Sequence, residues 1–94
     1  MDDSELIRLA GLAAGFEYSA EANPLIDDAL ALRLAVRLKL EITRDEFQIV
    51  VTDGRWHEKG VDVMGASEPL GADDYAATRR AITRAAAAIG GYRE

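Results

Sequence analysis

The sequence predicts a small α+β fold: an antiparallel β-meander of three or four strands packed by three helices, in an α-β-α sandwich with the order α-α-β-β-β-α. Two alanine-rich segments with helical periodicity, residues 23–39 and 73–90, lie on either side of a middle segment rich in β-branched residues. A chain of 94 residues is expected to form a single domain, 1–94, with one modest core.

The first helix is predicted near the start of the chain, because four apolar residues recur there at helical spacing: Leu6, Leu9, Ala10 and Ala13. Asp2 precedes Glu5 by three residues, which is the spacing of a capping box at a helix start. Gly15 follows the last periodic residue and is expected to end the helix, since glycine readily adopts the left-handed conformation common after a helix.

The second helix is predicted over residues 23–39, because Asn23 and Pro24 suit the cap and the first helical position. Its apolar residues form two nearly opposite arcs, one of which contains Leu32 and Val36. A helix that is apolar on two sides needs a cover on each. The sheet is one cover, and the first helix or a second protein molecule is the other. Self-association into a homodimer would use three leucines, Leu30, Leu34 and Leu38.

The middle of the chain is predicted to form the sheet. Residues 40–44 alternate between apolar and polar side chains, 44–46 form a turn, and 47–52 are rich in β-branched residues. Asp53-Gly54 is typical of a tight hairpin turn. The return strand is expected to start near Arg55, to be interrupted at Gly60 and to continue over 61–64. Residues 65–72 contain Gly65, Pro69 and Gly71 and are expected to form a loop that crosses back over the sheet.

The third helix is predicted to begin after Asp73, a good capping residue, with Asp74 in its first turn. Five residues recur at core spacing: Tyr75, Thr78, Ile82, Ala85 and Ile89. Three arginines are expected to face away from the core: Arg79, Arg80 and Arg84. Gly90-Gly91 is expected to end the helix.

The alanine-rich segments also carry a family resemblance. The matching stretches are Asn-Pro-Leu at 23–25, Asp-Asp at 27–28, Ala-Leu-Arg-Leu-Ala-Val at 31–36, Ala-Ala-Thr-Arg-Arg-Ala-Ile at 76–82 and Arg-Ala-Ala at 84–86. In these stretches the chain resembles the phage ABA sandwich domain family, a set of small phage and prophage proteins. The resemblance implies helices on either side of a sheet and a phage or prophage origin. Members of the family often have Gly-Asp before the Ala-Leu-Arg-Leu run, where this chain has Ala29-Leu30; this departure implies that the second helix starts near Asn23 or Asp27. Because the family has no general assigned activity, it carries no functional residue over to this chain.

The charge and composition limit the function classes. The chain has 17 acidic and 11 basic residues and a net charge of −6, which disfavours direct binding to nucleic acid. No apolar run approaches the ~20 residues of a membrane span, and the acidic N-terminus differs from a signal peptide. There is no cysteine. We therefore expect a soluble protein in the cytoplasm of a bacterial host that makes no membrane contact.

A catalytic or cofactor-binding set is not recognisable in the sequence. His57 is the only histidine, so the two-histidine helical zinc motif cannot form. The adjacent carboxylates at 27–28 and 73–74 are interpreted as helix caps, although a carboxylate-only metal site is the alternative reading. The serines lie outside any nucleophile-elbow context. We therefore expect no enzyme activity, no catalytic residue, no metal and no cofactor.

The function predicted from these features is stoichiometric binding to a host protein or nucleoprotein complex, most concretely inhibition of a defence complex in the manner of an anti-CRISPR protein. An acidic face could then block a basic surface that binds nucleic acid. The candidate contact residues are Asp45, Glu46, Asp53, Trp56, His57, Glu58, Asp62 and Glu68.

Two alternatives stay open at this point. One is a self-associating structural module. The other is a binder of a small anionic ligand such as a nucleotide, with a pocket under residues 65–71 that Arg79, Arg80 and Arg84 would surround. Trp56 is either a core residue or an anchor for a partner.

Overall fold

A computed structural model gives the fold of this chain and describes residues 1–53 and 65–93. Within them, three helices and three strands follow one another in the predicted order α-α-β-β-β-α. The elements are α1 (Asp3–Ala14), α2 (Asp28–Arg37), β1 (Glu41–Arg44), β2 (Gln48–Thr52), β3 (Gly65–Pro69) and α3 (Asp74–Arg93). The strands form one antiparallel sheet in the order β1-β2-β3, so the predicted α+β fold is confirmed.

Local capping residues set both ends of α1, as the sequence predicts. A side-chain oxygen of Asp2 accepts a hydrogen bond from the backbone N–H of Glu5 at 2.8 Å. At the other end Gly15 adopts the left-handed conformation, with φ 70°, and the N–H of Phe16 donates to the carbonyl of Gly11 at 2.9 Å. These bonds satisfy backbone groups that the helix itself leaves unpaired.

The start of α2 is at the later of the two predicted positions. Asp27 is the cap, and its side chain accepts from the N–H of Leu30 at 3.1 Å. A start at Asn23 is therefore wrong. Asn23 is buried instead, and its side-chain oxygen accepts from the N–H of Leu25 at 2.9 Å. The asparagine closes a turn before the helix, which is the common alternative use of this side chain.

The end of α2 uses a lysine where glycine is usual. Lys39 has φ 55°, and the N–H of Leu40 donates to the carbonyl of Ala35 at 2.9 Å, while that of Lys39 donates to Val36 at 3.2 Å. This is the bonding of a Schellman motif with a non-glycine residue in the left-handed position. A side chain in that conformation is disfavoured.

Lys39→Gly is expected to raise the free energy of unfolding by about 0.5–1 kcal/mol, because glycine adopts the left-handed conformation without the Cβ penalty. Urea titration followed by circular dichroism measures the change. Lys39→Ala is the control, since alanine keeps the Cβ and should leave the stability near that of the parent chain. Equal gains from both substitutions would show that the backbone conformation is not the cause.

The central element of the core is α3. It contacts α1, α2, β2 and β3, and buried residues, most of them alanines, surround most of its axis. Small side chains let neighbouring backbones approach closely, and a helix that is apolar nearly all round is buried on most sides. Ile49 and Val51, on one face of β2, belong to the same buried cluster. Because α2 contacts α3, the buried arc of α2 is covered by α3 rather than by α1.

The predicted core residues of α3 are partly correct. Ile82, Ala85 and Ile89 are buried, whereas Tyr75 is exposed because the helix begins before the core does. Thr83 is fully buried and was not predicted; its hydroxyl donates to the carbonyl of Arg79 at 2.7 Å, which satisfies the polar group inside the core.

The predicted helix end at Gly90-Gly91 is wrong, because α3 continues to Arg93. Gly90 lies where α3 passes the backbone of α1. A Cβ at this position would lie 2.8 Å from the carbonyl carbon of Leu9 and closer still to its oxygen. The glycine therefore permits the close approach of two helices and does not act as a helix stop.

The predicted loop over 65–72 is also partly wrong, since Gly65–Pro69 is strand β3 and pairs with β2. Gly65 lies opposite Thr52, where a Cβ would collide with the backbone carbonyl oxygen of Val51, so the close approach requires glycine. Pro69 is the last residue of this edge strand, a position where its missing N–H is tolerated. The predicted return strand at 55–64, with its interruption at Gly60, lies outside the described residues.

Candidate functional site

Asp45 closes the turn between β1 and β2 through hydrogen bonds. One of its side-chain oxygens accepts hydrogen bonds from the N–H groups of Phe47 at 2.7 Å and Gln48 at 2.9 Å. The N–H of Asp45 donates to the carbonyl of Gln48 at 3.1 Å, and that of Leu70 donates to the carbonyl of Phe47 at 2.8 Å. Both sides of the turn are thus fixed to the sheet or to the segment that follows β3.

The same turn presents a large aromatic side chain to solvent. Phe47 is 75% exposed, and Glu46 beside it is exposed as well. Within the described part of the chain, Glu46 has neither a hydrogen bond nor an ion pair. We call Asp45, Glu46 and Phe47 the acidic turn. It combines an apolar ring with two carboxylates on a hydrogen-bonded turn.

The backbone N–H groups of Phe47 and Gln48 hold the pKa of the Asp45 carboxyl below its usual value, because they stabilise the charged form. The carboxylate therefore remains ionised at neutral pH. Two of the predicted contact residues, Asp45 and Glu46, lie together here. Phe47 was not predicted as a contact, since the sequence pattern placed it in a strand without showing which side of the sheet it would take.

Asp45→Ala is expected to lower the free energy of unfolding at neutral pH. It is also expected to make that free energy fall less steeply as the pH is lowered. The lowered pKa means that the stabilisation by Asp45 is fully present above the unfolded carboxyl pKa of ~3.9 and is lost as pH falls through the lower folded value. Urea titrations between about pH 7 and pH 3 compare the variant with the parent chain. The two stabilities should converge at low pH. Glu46→Ala, which leaves the turn's hydrogen bonds intact, should retain the parent's pH dependence; an identical change in both variants contradicts the assignment.

The three arginines of α3 do not simply face away from the core, as the spacing suggested. The Nε of Arg79 donates to the carbonyl of Leu25 at 2.9 Å, and its Nη1 lies 2.7 Å from a carboxylate oxygen of Asp28. Arg80 Nη1 lies 3.1 Å from a carboxylate oxygen of Asp3. These contacts connect α3 to α2, to the segment before it and to the start of α1.

Arg84 and Arg80 lie beside Glu68 on β3. Arg84 Nη1 donates to the carbonyl of Ser67 at 2.8 Å and to the carboxylate of Glu68. A cavity of about 400 Å³ between α1, β3 and α3 is lined by Arg80, Arg84 and Glu68. It lies at the position predicted for an anion pocket, but Arg79 is not in its lining. Because Asp3 and Glu68 pair with these two arginines, little positive charge remains there for an anionic ligand.

Other predicted contact residues are not available to a partner in this fold. Glu68 is 17% exposed as a side chain and is engaged by arginines, and Asp53 is 8% exposed. Both side chains are therefore largely removed from solvent. The remaining candidates lie outside the described residues: Trp56, His57, Glu58 and Asp62.

The residues predicted for self-association lie on the wrong side of α2. Leu34 is 1% exposed, and Leu30 and Leu38 are half-buried on the same side of the helix, because this arc packs against α3. The outward side of α2 instead carries Leu32 and Val36, one turn apart and both exposed.

Comparison of the chain with protein-family models, curated proteins and solved structures gives no match. The resemblance to the phage ABA sandwich domain family therefore stays a prediction. Among residues 1–53 and 65–93, no three metal-ligating side chains lie close enough together to hold an ion. No helix in these two ranges has both the length and the apolar character needed to cross a membrane.

Proposed function

We propose that this chain is a binding protein that makes a stoichiometric contact with a basic protein surface through the acidic turn. The observation that carries the proposal is the 75% exposure of Phe47 on a turn that Asp45 closes through hydrogen bonds. Burying such a ring against a partner supplies binding free energy, and aromatic anchors are typical of interface hot spots.

The charge of the turn indicates the chemistry of the partner. Ionised carboxylates beside an apolar ring favour a surface with arginine or lysine side chains around an apolar depression. Because the hydrogen bonds of Asp45 order the turn before binding, little conformational entropy is lost on association. The net charge of −6 accelerates encounter with a basic partner at low salt.

The concrete form that we propose is a phage or prophage accessory protein that inhibits a host defence complex, in the manner of an anti-CRISPR protein. The family resemblance of the alanine-rich segments supports the origin, and the acidic turn supports the mode of action. Defence complexes hold nucleic acid on basic surfaces, and the turn would cover part of such a surface. The role requires contact alone and no catalytic step.

Phe47→Ala is expected to weaken capture of a host protein from bacterial lysate by about 10–30-fold, the loss typical of a hot-spot residue. Glu46→Lys should weaken it further at low salt, because it reverses a charge in the contact. The measurement is the affinity of the immobilised chain for the captured protein, with and without double-stranded DNA as competitor.

Tyr92→Ala is the matched control, since Tyr92 is an exposed aromatic residue in the last turn of α3, outside the acidic turn. It should bind like the parent chain, and DNA should compete with binding. A captured protein whose binding is insensitive to Phe47→Ala, or reproducible failure to capture any protein, contradicts the proposal.

A second candidate is self-association through the outward side of α2. Leu32 and Val36 form an exposed apolar pair on consecutive turns, and isologous dimers commonly use such helix faces. Light scattering over a range of concentrations would give a dimer for the parent chain and a monomer for Leu32→Glu. A parent chain that stays monomeric at high concentration excludes this candidate.

A further inference from the structure

Two arginines of α2 differ from the other arginines whose side chains the structure describes. Arg33 and Arg37 have no carboxylate partner in the described part of the chain, whereas the others pair with acidic residues: Arg8, Arg44, Arg79, Arg80 and Arg84. The two are one helical turn apart and therefore lie on the same side of α2. In a chain with an excess of acidic residues, this leaves a local surplus of positive charge.

Both arginines line a cleft of about 200 Å³ between α2 and the segment that follows α1. Its other side carries Phe16 and Tyr18, whose ring centroids are 5.1 Å apart and whose planes are inclined by 43°. Leu30 also lines the cleft. Phe16 is exposed and Tyr18 is half-buried. An apolar cleft with two cationic groups at one side is therefore open to solvent.

Arg37 is held in place over the end of α1. Its Nε donates to the carbonyl of Ala14, and its Nη2 lies 3.6 Å from the position that a Cβ on Gly15 would take. This contact occupies Nε, so further N–H groups of the guanidinium remain for a ligand. The hydrogen bond to Ala14 places the positive charge of Arg37 at the C-terminal end of α1, where it is favourable, and this accounts for part of the role of Arg37. It does not explain Arg33, which is exposed and whose side chain has no hydrogen bond within the described residues.

We propose that this cleft binds a small anion that carries a planar ring. The ring packs against Phe16 and Tyr18, and the anionic group, a phosphate or a carboxylate, accepts hydrogen bonds from Arg33 and Arg37. Guanidinium groups bind both kinds of oxyanion through paired N–H donors, and aromatic side chains bind planar rings by stacking. The volume is below that of most ligand pockets and fits a ring and one anionic group rather than a larger cofactor.

The ligand class is tested by isothermal titration calorimetry of the full chain at low ionic strength with four probes. Adenosine monophosphate and benzoate carry both a ring and an anion, adenosine carries the ring alone, and inorganic phosphate carries the anion alone. At least one ring-bearing anion should bind about tenfold more tightly than adenosine and phosphate. Tighter binding of adenosine monophosphate identifies a nucleotide, and tighter binding of benzoate an aromatic acid. The proposal is overturned if neither ring-bearing anion binds at millimolar concentration. It is also overturned if inorganic phosphate binds as tightly as the ring-bearing anions do.

Variants then locate the site independently of the acidic turn. Arg33→Gln is expected to weaken binding of the ring-bearing anion about tenfold with unchanged folding, because the Arg33 side chain is exposed and has no hydrogen bond or ion pair among the described residues. Phe16→Ala should weaken it by a similar factor. Arg44→Gln is the matched control, since it removes the same charge at an exposed ion pair with Asp74, a pair worth little to stability. Equal weakening by Arg33→Gln and Arg44→Gln, or none by Arg33→Gln, overturns the assignment.

Discussion

Gly90→Ala is expected to lower the free energy of unfolding by about 3 kcal/mol or more, among the larger effects of a single added methyl group. The added Cβ would lie 2.8 Å from the carbonyl carbon of Leu9. The obstructing atoms belong to the backbone of α1, so they cannot move aside by a rotamer change. The helices would have to separate, which would loosen the contact between α1 and α3. Urea unfolding measures the loss.

Gly91→Ala is the matched control and is expected to have the opposite sign. A Cβ at Gly91 would have its nearest neighbour at 4.0 Å, the Leu9 Cδ1, which is an ordinary contact. Replacing glycine by alanine within a helix stabilises it by about 0.5–1 kcal/mol, and a position near the helix end gives the lower part of this range. Loss of stability in both variants would show that the close approach of the two backbones at Gly90 is not the cause of the loss.

These adjacent glycines also show where sequence reasoning fails. Gly15 and Gly90-Gly91 are equally plausible helix ends from the sequence, yet only Gly15 has the left-handed backbone that ends a helix. The choice at Gly90 depends on Leu9 of another helix, which no local pattern reveals. Caps at Asp2 and Asp73 were predictable because they depend only on residues two or three positions away.

The strands likewise differ in whether local sequence predicts them. Residues 40–44 and 47–52 were placed within one residue of β1 and β2, because alternation and β-branched residues act locally. The segment Gly65–Pro69 carries a glycine and a proline and has no such pattern. It becomes a strand because β2 offers an edge for pairing and α3 packs against it. Tertiary contacts there outweigh the intrinsic preference of the residues.

The candidate sites were only partly predictable for the same physical reason. Asp45 and Glu46 were recognised as exposed acids because a turn residue seldom becomes buried. The exposure of Phe47 and the burial of Asp53 depend on how the sheet meets the rest of the chain. Arg33 and Arg37 lack acidic partners among residues 1–53 and 65–93. This depends on where the carboxylates lie in the fold, so it could not be read from the spacing of the two arginines.

Leu34→Ala is expected to lower the free energy of unfolding by about 3–4 kcal/mol, within the usual range for a buried leucine. Leu34 is 1% exposed and lies in the main core cluster. Most other members of that cluster are alanines, in α1, α2 and α3. An alanine side chain cannot change its rotamer to fill a space left by a neighbour, so the cavity should persist. The loss of unfolding free energy should therefore lie above the lower limit of the range usual for a buried leucine replaced by alanine.

Leu32→Ala is the control on the same helix with the same change of side chain. Leu32 is 62% exposed, so its truncation should change the stability by less than about 0.5 kcal/mol. Both variants replace leucine by alanine in a helix, so intrinsic helix propensity cancels in the comparison. The difference of about 3 kcal/mol then measures the burial of one arc of α2 against α3. Similar losses at the two positions, measured by urea titration below any concentration at which the chain self-associates, would show that both sides of α2 are covered.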